Sequence, residues 1–201
     1  MDATRLDICR RLHALGAVKL GSFTLKSGAL SPVYIDLRLL VSDPALLADV
    51  ARAYARLLEG LAFDRIAAIP YAALPIGTAV ALATGRPLIY PRKEVKPYGT
   101  GQAVEGHFRT GETVVVLDDL ISSGGSKREA IAPLEAAGLV VRDVVVLIDR
   151  QGGGAEDLAA AGYALHSVLT LREIVEALHA DGRVGDDARG AVEAFLAAGR
   201  A

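Results

Sequence analysis

Cysteine is nearly missing from this chain: Cys9 is the only one among 201 residues. No intramolecular disulfide and no cysteine-built zinc site can form, and a reduced, cytoplasmic setting is expected. A charge excess is missing too. The formal net charge is −2, which argues against a general nucleic-acid or membrane-surface binder. No apolar run of about 18 or more residues exists to span a bilayer, so no membrane partner is expected. The stretch Met1 to Asp7 carries two acids and no long apolar run, unlike a signal peptide. Lysine is scarce, 5 residues against 17 arginines. Three of the five, Lys26, Lys93 and Lys96, fall in the polar segments that carry chemistry.

What is present suits a folded core. The chain is 52% hydrophobic and 23% charged, which places it with globular proteins rather than disordered ones. Its length fits a single domain over 1–201. Apolar spacing predicts a helix over 2–15 and short strands over 18–25 and 33–37. Asp43 and Pro44 form an N-cap and first-turn pair for a helix running toward Gly60. Strands follow at 65–70, 87–92, 114–119, 144–149 and 163–169. Helices are expected at 74–84, 126–137, 156–161, 171–179 and 186–198. Pro133 predicts a kink or early break in the 126–137 helix. Residues 94–111 are polar and glycine-punctuated, with little periodicity.

Strands alternating with helices imply an α/β fold with parallel βαβ units. Ligands of such sheets bind at the C-terminal ends of the strands. The polar segments after Pro70, Asp119 and Asp149 are therefore expected to converge.

The most informative run is Val114 to Ser126. Four apolar residues lead to Asp118 and Asp119, then to Leu120, Ile121, Ser122, Ser123, Gly124, Gly125 and Ser126, and then a helix. Backbone N–H groups and small hydroxyls at a helix N-terminus favour an anion. Acids beside them suit sugar hydroxyls or a metal. A tight strand-to-helix turn is the plain structural alternative, and the two acids after a buried strand weigh against it. The spacing is neither that of a Walker loop nor G-x-G-x-x-G. A second segment, Arg92 to Gly101, sets three cations within five residues beside glycines. It suits a polyanion clamp, with a solvated surface loop as the alternative. A third, Gly21 to Gly28 followed by Ser31 to Arg38, reads as a hairpin with a basic tip.

The Asp118–Ser126 run resembles the phosphoribosyl-pyrophosphate motif of the type I phosphoribosyltransferases. Together, FTLKSG, the SPVYIDLR stretch, RKEVKPYG, DDLISSGGS and the run Ile148 to Gly153 resemble the orotate phosphoribosyltransferase branch, in order, over about residues 16–170. The resemblance implies a central, mainly parallel sheet flanked by helices, with a small hood mainly in 1–42, a core over about 43–170 and C-terminal helices over 171–201.

It also implies roles. Ser122, Ser123, Gly124, Gly125 and Ser126 would hold the 5-phosphate of phosphoribosyl pyrophosphate (PRPP), Asp118 and Asp119 the ribose, and Leu120 and Ile121 would belong to the same PRPP-binding run. Tyr71 and Ala72 would lie on the pyrophosphate loop, and Arg92, Lys93, Lys96 and Tyr98 would contact pyrophosphate. Lys26 would reach over the site from the hood. Tyr34, Ile35, Ser122 and Arg150 would bind orotate. Lys93, Lys96, Asp118 and Asp119 would carry the catalytic effect. Mg²⁺ would be held mainly by substrate, with Asp118 and Asp119 acting through water. A homodimer sharing loop 92–106 across subunits is implied.

Two departures stand out. Many bacterial members of the family carry lysine at the place of Ala72 and histidine at that of Tyr98. A tyrosine of reference pKa about 10 is a poor proton donor near neutrality. His13, His107, His166 and His179 read as structural or surface residues. Two other readings remain at this level: a PRPP sensor without catalysis, and a purine phosphoribosyltransferase. The acidic net charge speaks against the first, and FTLKSG and RKEVK against the second.

Overall fold

The computed structural model describes residues 1–24, 30–93 and 103–198. Lys26, Lys96 and Tyr98 lie outside the described residues. The chain opens with helix α1 (Ala3–Ala14), capped by the Asp2 carboxylate on the Arg5 N–H at 2.9 Å. Strands β1 (Val18–Thr24) and β2 (Leu30–Ile35) pair antiparallel as a separate two-stranded hood. A 3₁₀ turn over Leu37–Ser42 leads to α2 (Pro44–Leu58), where Asp43 accepts the Leu46 N–H at 2.9 Å.

The main sheet then builds: β3 (Arg65–Ala68), α3 (Ala73–Thr84), β4 (Leu88–Pro91), β5 (Val104–Glu105), β6 (Thr113–Ile121), α4 (Gly125–Ala136), β7 (Val140–Asp149), α5 (Gly154–Ala160) and β8 (Ala164–Thr170). Helices α6 (Leu171–Ala180) and α7 (Asp186–Ala198) complete it. Strand order is β5-β4-β3-β6-β7-β8, with every pair parallel except β4–β5.

Alternation along the central strands makes two cores. Val115 and Leu117 of β6 and Val145 and Leu147 of β7 face the layer that includes α1, α2 and α6. Val114, Val116, Val144 and Val146 face Ile131 and Leu134 of α4 and Leu158 of α5. Strands covered on both sides need apolar residues at every position, which explains the unbroken valine runs.

Three expectations are corrected. The strand expected over 33–37 starts earlier and stops at Ile35, because Asp36 caps the 3₁₀ turn by accepting the Arg38 N–H. Pro133 does not end α4, which continues to Ala136. It stands in the last turn, where a missing N–H forfeits a single backbone bond. The polar 94–111 stretch is not all irregular: Val104 and Glu105 pair with Pro91 and Tyr90.

One ion pair ties the sheet's lower edge. Arg65 at the start of β3 grips Glu112 with two nitrogens, one bond being 2.9 Å. That bond, then the Arg109 N–H, holds the Glu112 carboxyl down to about 2 from its ordinary 4.5. A depressed carboxyl stabilises the fold above its unfolded pKa and loses that contribution as pH falls through the folded value. Wild-type melting temperature should therefore drop between pH 4.5 and about 2 in part through this group. In Glu112→Gln, calorimetry should show lower stability at neutral pH and a gap to wild type that closes across that window. Parallel profiles would refute this.

Candidate active site

The strand order places β3 between β4 and β6: the chain runs outward from β3 to β4 and β5, then crosses back to β6 on the other side of β3. A crevice opens at the C-terminal ends of such strands. It is present as a cleft of about 410 Å³. Its walls come from the β3–α3 connection (Pro70, Tyr71, Ala72), the end of β4 (Arg92, Lys93), the end of β6 (Asp118, Asp119) and α4 (Ser126, Glu129, Pro133). The Pro70–Tyr71 peptide is cis. The expected convergence of the first two polar segments is thus observed.

Helix α4 begins at this cleft with no side-chain cap at Gly124. First-turn N–H groups left without internal partners are the donors an anion meets. One donor of the loop is already used: the Gly124 N–H donates to Asp157 of α5 at 3.0 Å. The packing there is close, since a Cβ on Gly124 would lie 2.6 Å from the Asp157 Cβ.

The two acids are held differently. Alternation sends Asp118, like Val114 and Val116, toward α4, where Lys127 forms an ion pair with it. The Asp118 carboxylate also accepts the Asp119 N–H at 2.8 Å, and its backbone carbonyl accepts the Tyr54 hydroxyl of α2 at 2.7 Å. Asp119 accepts the Leu120 N–H at 2.8 Å. Burial first, and the neighbouring Asp118 second, push the Asp119 carboxyl well above its ordinary 3.8. A carboxylate in that state gains from any ligand that donates hydrogen bonds to it.

The cations divide as well. Lys93 Nζ sits 5.0 Å from the centre of the Tyr71 ring at the cleft, an arrangement that holds a flexible ammonium near the rim. Arg92 is turned to Glu105 of β5 at 2.5 Å. The third polar segment reaches the site through Arg150, whose N–H donates to the Ile121 carbonyl at 2.8 Å. Its guanidinium lies 3.3 Å from the Ser122 hydroxyl and 3.4 Å from that of Ser31 in the hood. Its Nε is buried with no partner among the described residues. Burial lowers the Arg150 pKa, and no carboxylate among the described residues opposes that shift. Gly152 allows this segment to approach: a Cβ there would lie 2.8 Å from the Ser122 carbonyl oxygen.

Of the other anticipated residues, Ile121 turns its side chain wholly into the core. Tyr34 packs its ring against Phe23 at 5.6 Å in the hood, and Ile35 lies beside it in β2. Ser122 meets Arg150, and Ser123 follows in the same loop.

The orotate phosphoribosyltransferase of Caenorhabditis elegans is 35% identical over 193 residues, which span 95% of this chain and 85% of that protein. The chain belongs to the orotate phosphoribosyltransferase family. A family relative, the bifunctional enzyme PyrF/PyrE of Nostoc sp., is 45% identical over 181 residues, covering 90% of this chain and 38% of that protein. Among solved structures of the family, Leishmania donovani UMP synthase superposes with a TM-score of 0.90 at 42% identity, covering 98% of this chain and 42% of that one. The chain therefore spans about two-fifths of the length of its bifunctional relatives. No protein-family model matches it. The α/β architecture with a central, mainly parallel sheet is that of the family.

Sequence reasoning missed four residues that shape the family's site here: Ser31, Tyr54, Lys127 and Asp157. Lysine scarcity was a signal for Lys127. The others act through contacts between segments far apart in the chain, which local patterns do not carry.

Proposed function

We propose that this chain transfers the phosphoribosyl group of PRPP to N1 of orotate. The C1–pyrophosphate bond breaks, the C1–N1 bond forms, and orotidine 5′-phosphate and pyrophosphate are released, a step toward UMP. One observation carries the base assignment beyond family membership. Arg150 offers a half-buried guanidinium that, among the described residues, two hydroxyls meet and whose buried Nε has no partner. A planar, anionic, carbonyl-rich base supplies acceptors for that fork.

The chain's own groups then divide the work. The α4 N-terminus and the 122–126 loop hold the 5-phosphate. Asp119 and Asp118 face the ribose end, where cationic character develops in an oxocarbenium-like transition state. Tyr71, Ala72, Arg92 and Lys93 surround the leaving pyrophosphate, joined by Lys96 and Tyr98. Tyr34, Ile35 and Lys26 border the base with Arg150 and Ser122. Mg²⁺ fits as a hard cation that neutralises the diphosphate oxygens when bound and keeps several waters. The site offers it few protein ligands, since Asp118 is taken by Lys127 and no cluster of three or more His, Cys, Asp or Glu is found among the described residues. The metal would thus arrive with the substrate, and Asp119 is the carboxylate positioned to meet it through water. A homodimer sharing loop 92–106, a cytoplasmic setting, and a single domain with its hood mainly in 1–42 complete the proposal.

Pyrophosphate release in the presence of PRPP, Mg²⁺ and each base tests this reading. Release with orotate alone is expected. Release with adenine or guanine instead, or with no base, would overturn it. Lys96→Ala should lower kcat about a hundredfold, as loss of a preorganised charge at a leaving group does, with orotate affinity little changed. Wild-type turnover in that variant would remove Lys96 from the mechanism.

A further inference from the structure

Among the described residues, Gln151 is the one non-glycine residue with a left-handed backbone, at φ +58°. A side chain in that region crowds its own backbone, so the conformation costs free energy and persists only where neighbours enforce it. Gln151 directly follows Arg150, and two bonds pin it. The Asp149 carboxylate accepts the Gln151 N–H at 2.7 Å, as an aspartate does two residues along in a tight turn. The Gln151 Oε1 accepts the Arg172 N–H in the first turn of α6 at 3.2 Å. Glycine would take the same backbone without strain, but it would give up that second anchor. Asp149 itself has no place in the chemistry above. It ends β7, paired with Ile121 of β6 and Thr170 of β8. Burial pushes its carboxyl above the ordinary 3.8, and the Gln151 N–H opposes that shift. The neighbouring Arg150 guanidinium turns to the Ser122 and Ser31 hydroxyls instead of to this carboxylate. The backbone at Arg150 is thus fixed on both sides: its own N–H on the Ile121 carbonyl, and the next N–H on Asp149.

We infer that Asp149 is a positioning residue: by holding Gln151 left-handed it aims Arg150 at the base, so this strained turn sets the affinity for orotate. The inference rests on the phosphoribosyl reading above and deepens it. A guanidinium fork recognises a planar anion through paired, directional bonds, and a small rotation of its stem forfeits them. Without the carboxylate acceptor, Gln151 relaxes toward an unstrained backbone and rotates the peptide that joins it to Arg150. The phosphate loop and the acids at the end of β6 keep their own bonds, so the effect is confined to the base.

The test uses the full chain with Asp149→Ala, Asp149→Asn, Gln151→Val, Arg150→Met, and Asp149→Ala combined with Arg150→Met. Orotate KM and kcat are read at saturating PRPP, and PRPP affinity by calorimetry with Mg²⁺. Asp149→Ala should raise orotate KM about tenfold, with kcat and PRPP affinity within about twofold of wild type. Asp149→Asn keeps a side-chain oxygen as acceptor and should stay within about threefold of wild type. Gln151→Val keeps the carboxylate but resists the left-handed backbone, and should behave like Asp149→Ala. In Arg150→Met, adding Asp149→Ala should raise orotate KM by less than about twofold more, because the turn acts through the guanidinium. A purely structural turn would weaken orotate and PRPP together and repeat its loss in Arg150→Met. That result overturns the inference, as does an unchanged orotate KM in Asp149→Ala, or Asp149→Asn as poor as the alanine variant. If Asp149→Ala does not fold, Gln151→Val, alone and with Arg150→Met, decides on the same readouts. A wild type that does not turn over orotate is seen before any variant is made. It overturns the phosphoribosyl reading, and this assignment with it.

Discussion

Asp119→Asn is expected to cut kcat/KM for PRPP by about a thousandfold while making the ligand-free protein more stable. The two effects share one cause. Burial and the adjacent Asp118 raise the Asp119 carboxyl above its ordinary 3.8. For an acid whose folded pKa is raised, the native state holds the proton more tightly than the unfolded chain. Stability therefore falls as pH rises from near 3.8 through the folded value, and the penalty stays in place above it. The amide carries no such charge. Melts of metal-free wild type and variant should coincide at low pH and separate as pH rises, with the variant several degrees higher near pH 8. The sugar ligand offsets the penalty in wild type by donating hydrogen bonds to the carboxylate. A variant that is both inactive and less stable at pH 8 would show that Asp119 serves the fold rather than the ligand.

Arg150→Met should weaken orotate binding by about 2 to 5 kcal/mol, roughly thirtyfold to several thousandfold, as truncation of a charge partner at an interface does. Affinity for PRPP should change far less, because among the described residues the phosphate loop meets the Arg150 side chain through the Ser122 hydroxyl at 3.3 Å, and its backbone bond to Ile121 survives the substitution. The ligand-free variant should be no less stable than wild type. Arg150 is half-buried with weak hydroxyl partners, and methionine removes the cost of desolvating the guanidinium. Titration of each ligand separately distinguishes this from general damage. Equal losses for orotate and PRPP would place Arg150 in the support of the phosphate loop instead of the base pocket.

Both predictions describe a site that gives up stability for binding. Asp119 near the end of β6 and Arg150 just after β7 carry opposite charges, and neither forms an ion pair among the described residues. Lys127 shows the contrast. It satisfies Asp118 internally, so that residue is part of the fold before any ligand arrives.

Much of the fold was legible in local patterns. The valine runs of β6 and β7 announced central strands, because only strands covered on both faces need apolar residues at every position. Asp43 with Pro44 marked the start of α2 through a cap that operates over three residues. Pro133 misled, since its effect depends on how near the helix end it falls. The two-residue strand β5 carries no periodicity to detect, and its existence depends on a partner, β4.

The site divides along the same line. The sequence alone determined the strand–acid–hydroxyl–glycine–helix run, the scarcity of lysine and the family resemblance, because these lie in short contiguous segments whose chemistry does not need a partner. Only the tertiary structure decided how the two acids differ, since Asp118 and Asp119 are neighbours in the chain but alternation sends them to different faces. Both line the cleft, but Asp118 is paired with Lys127 while Asp119 accepts the Leu120 N–H. It also decided that Arg150 is met by hydroxyls from the hood and the phosphate loop, residues 119 and 28 positions away. Burial and pairing across such separations are properties of packing, and packing is what turns equivalent letters into unequal charges.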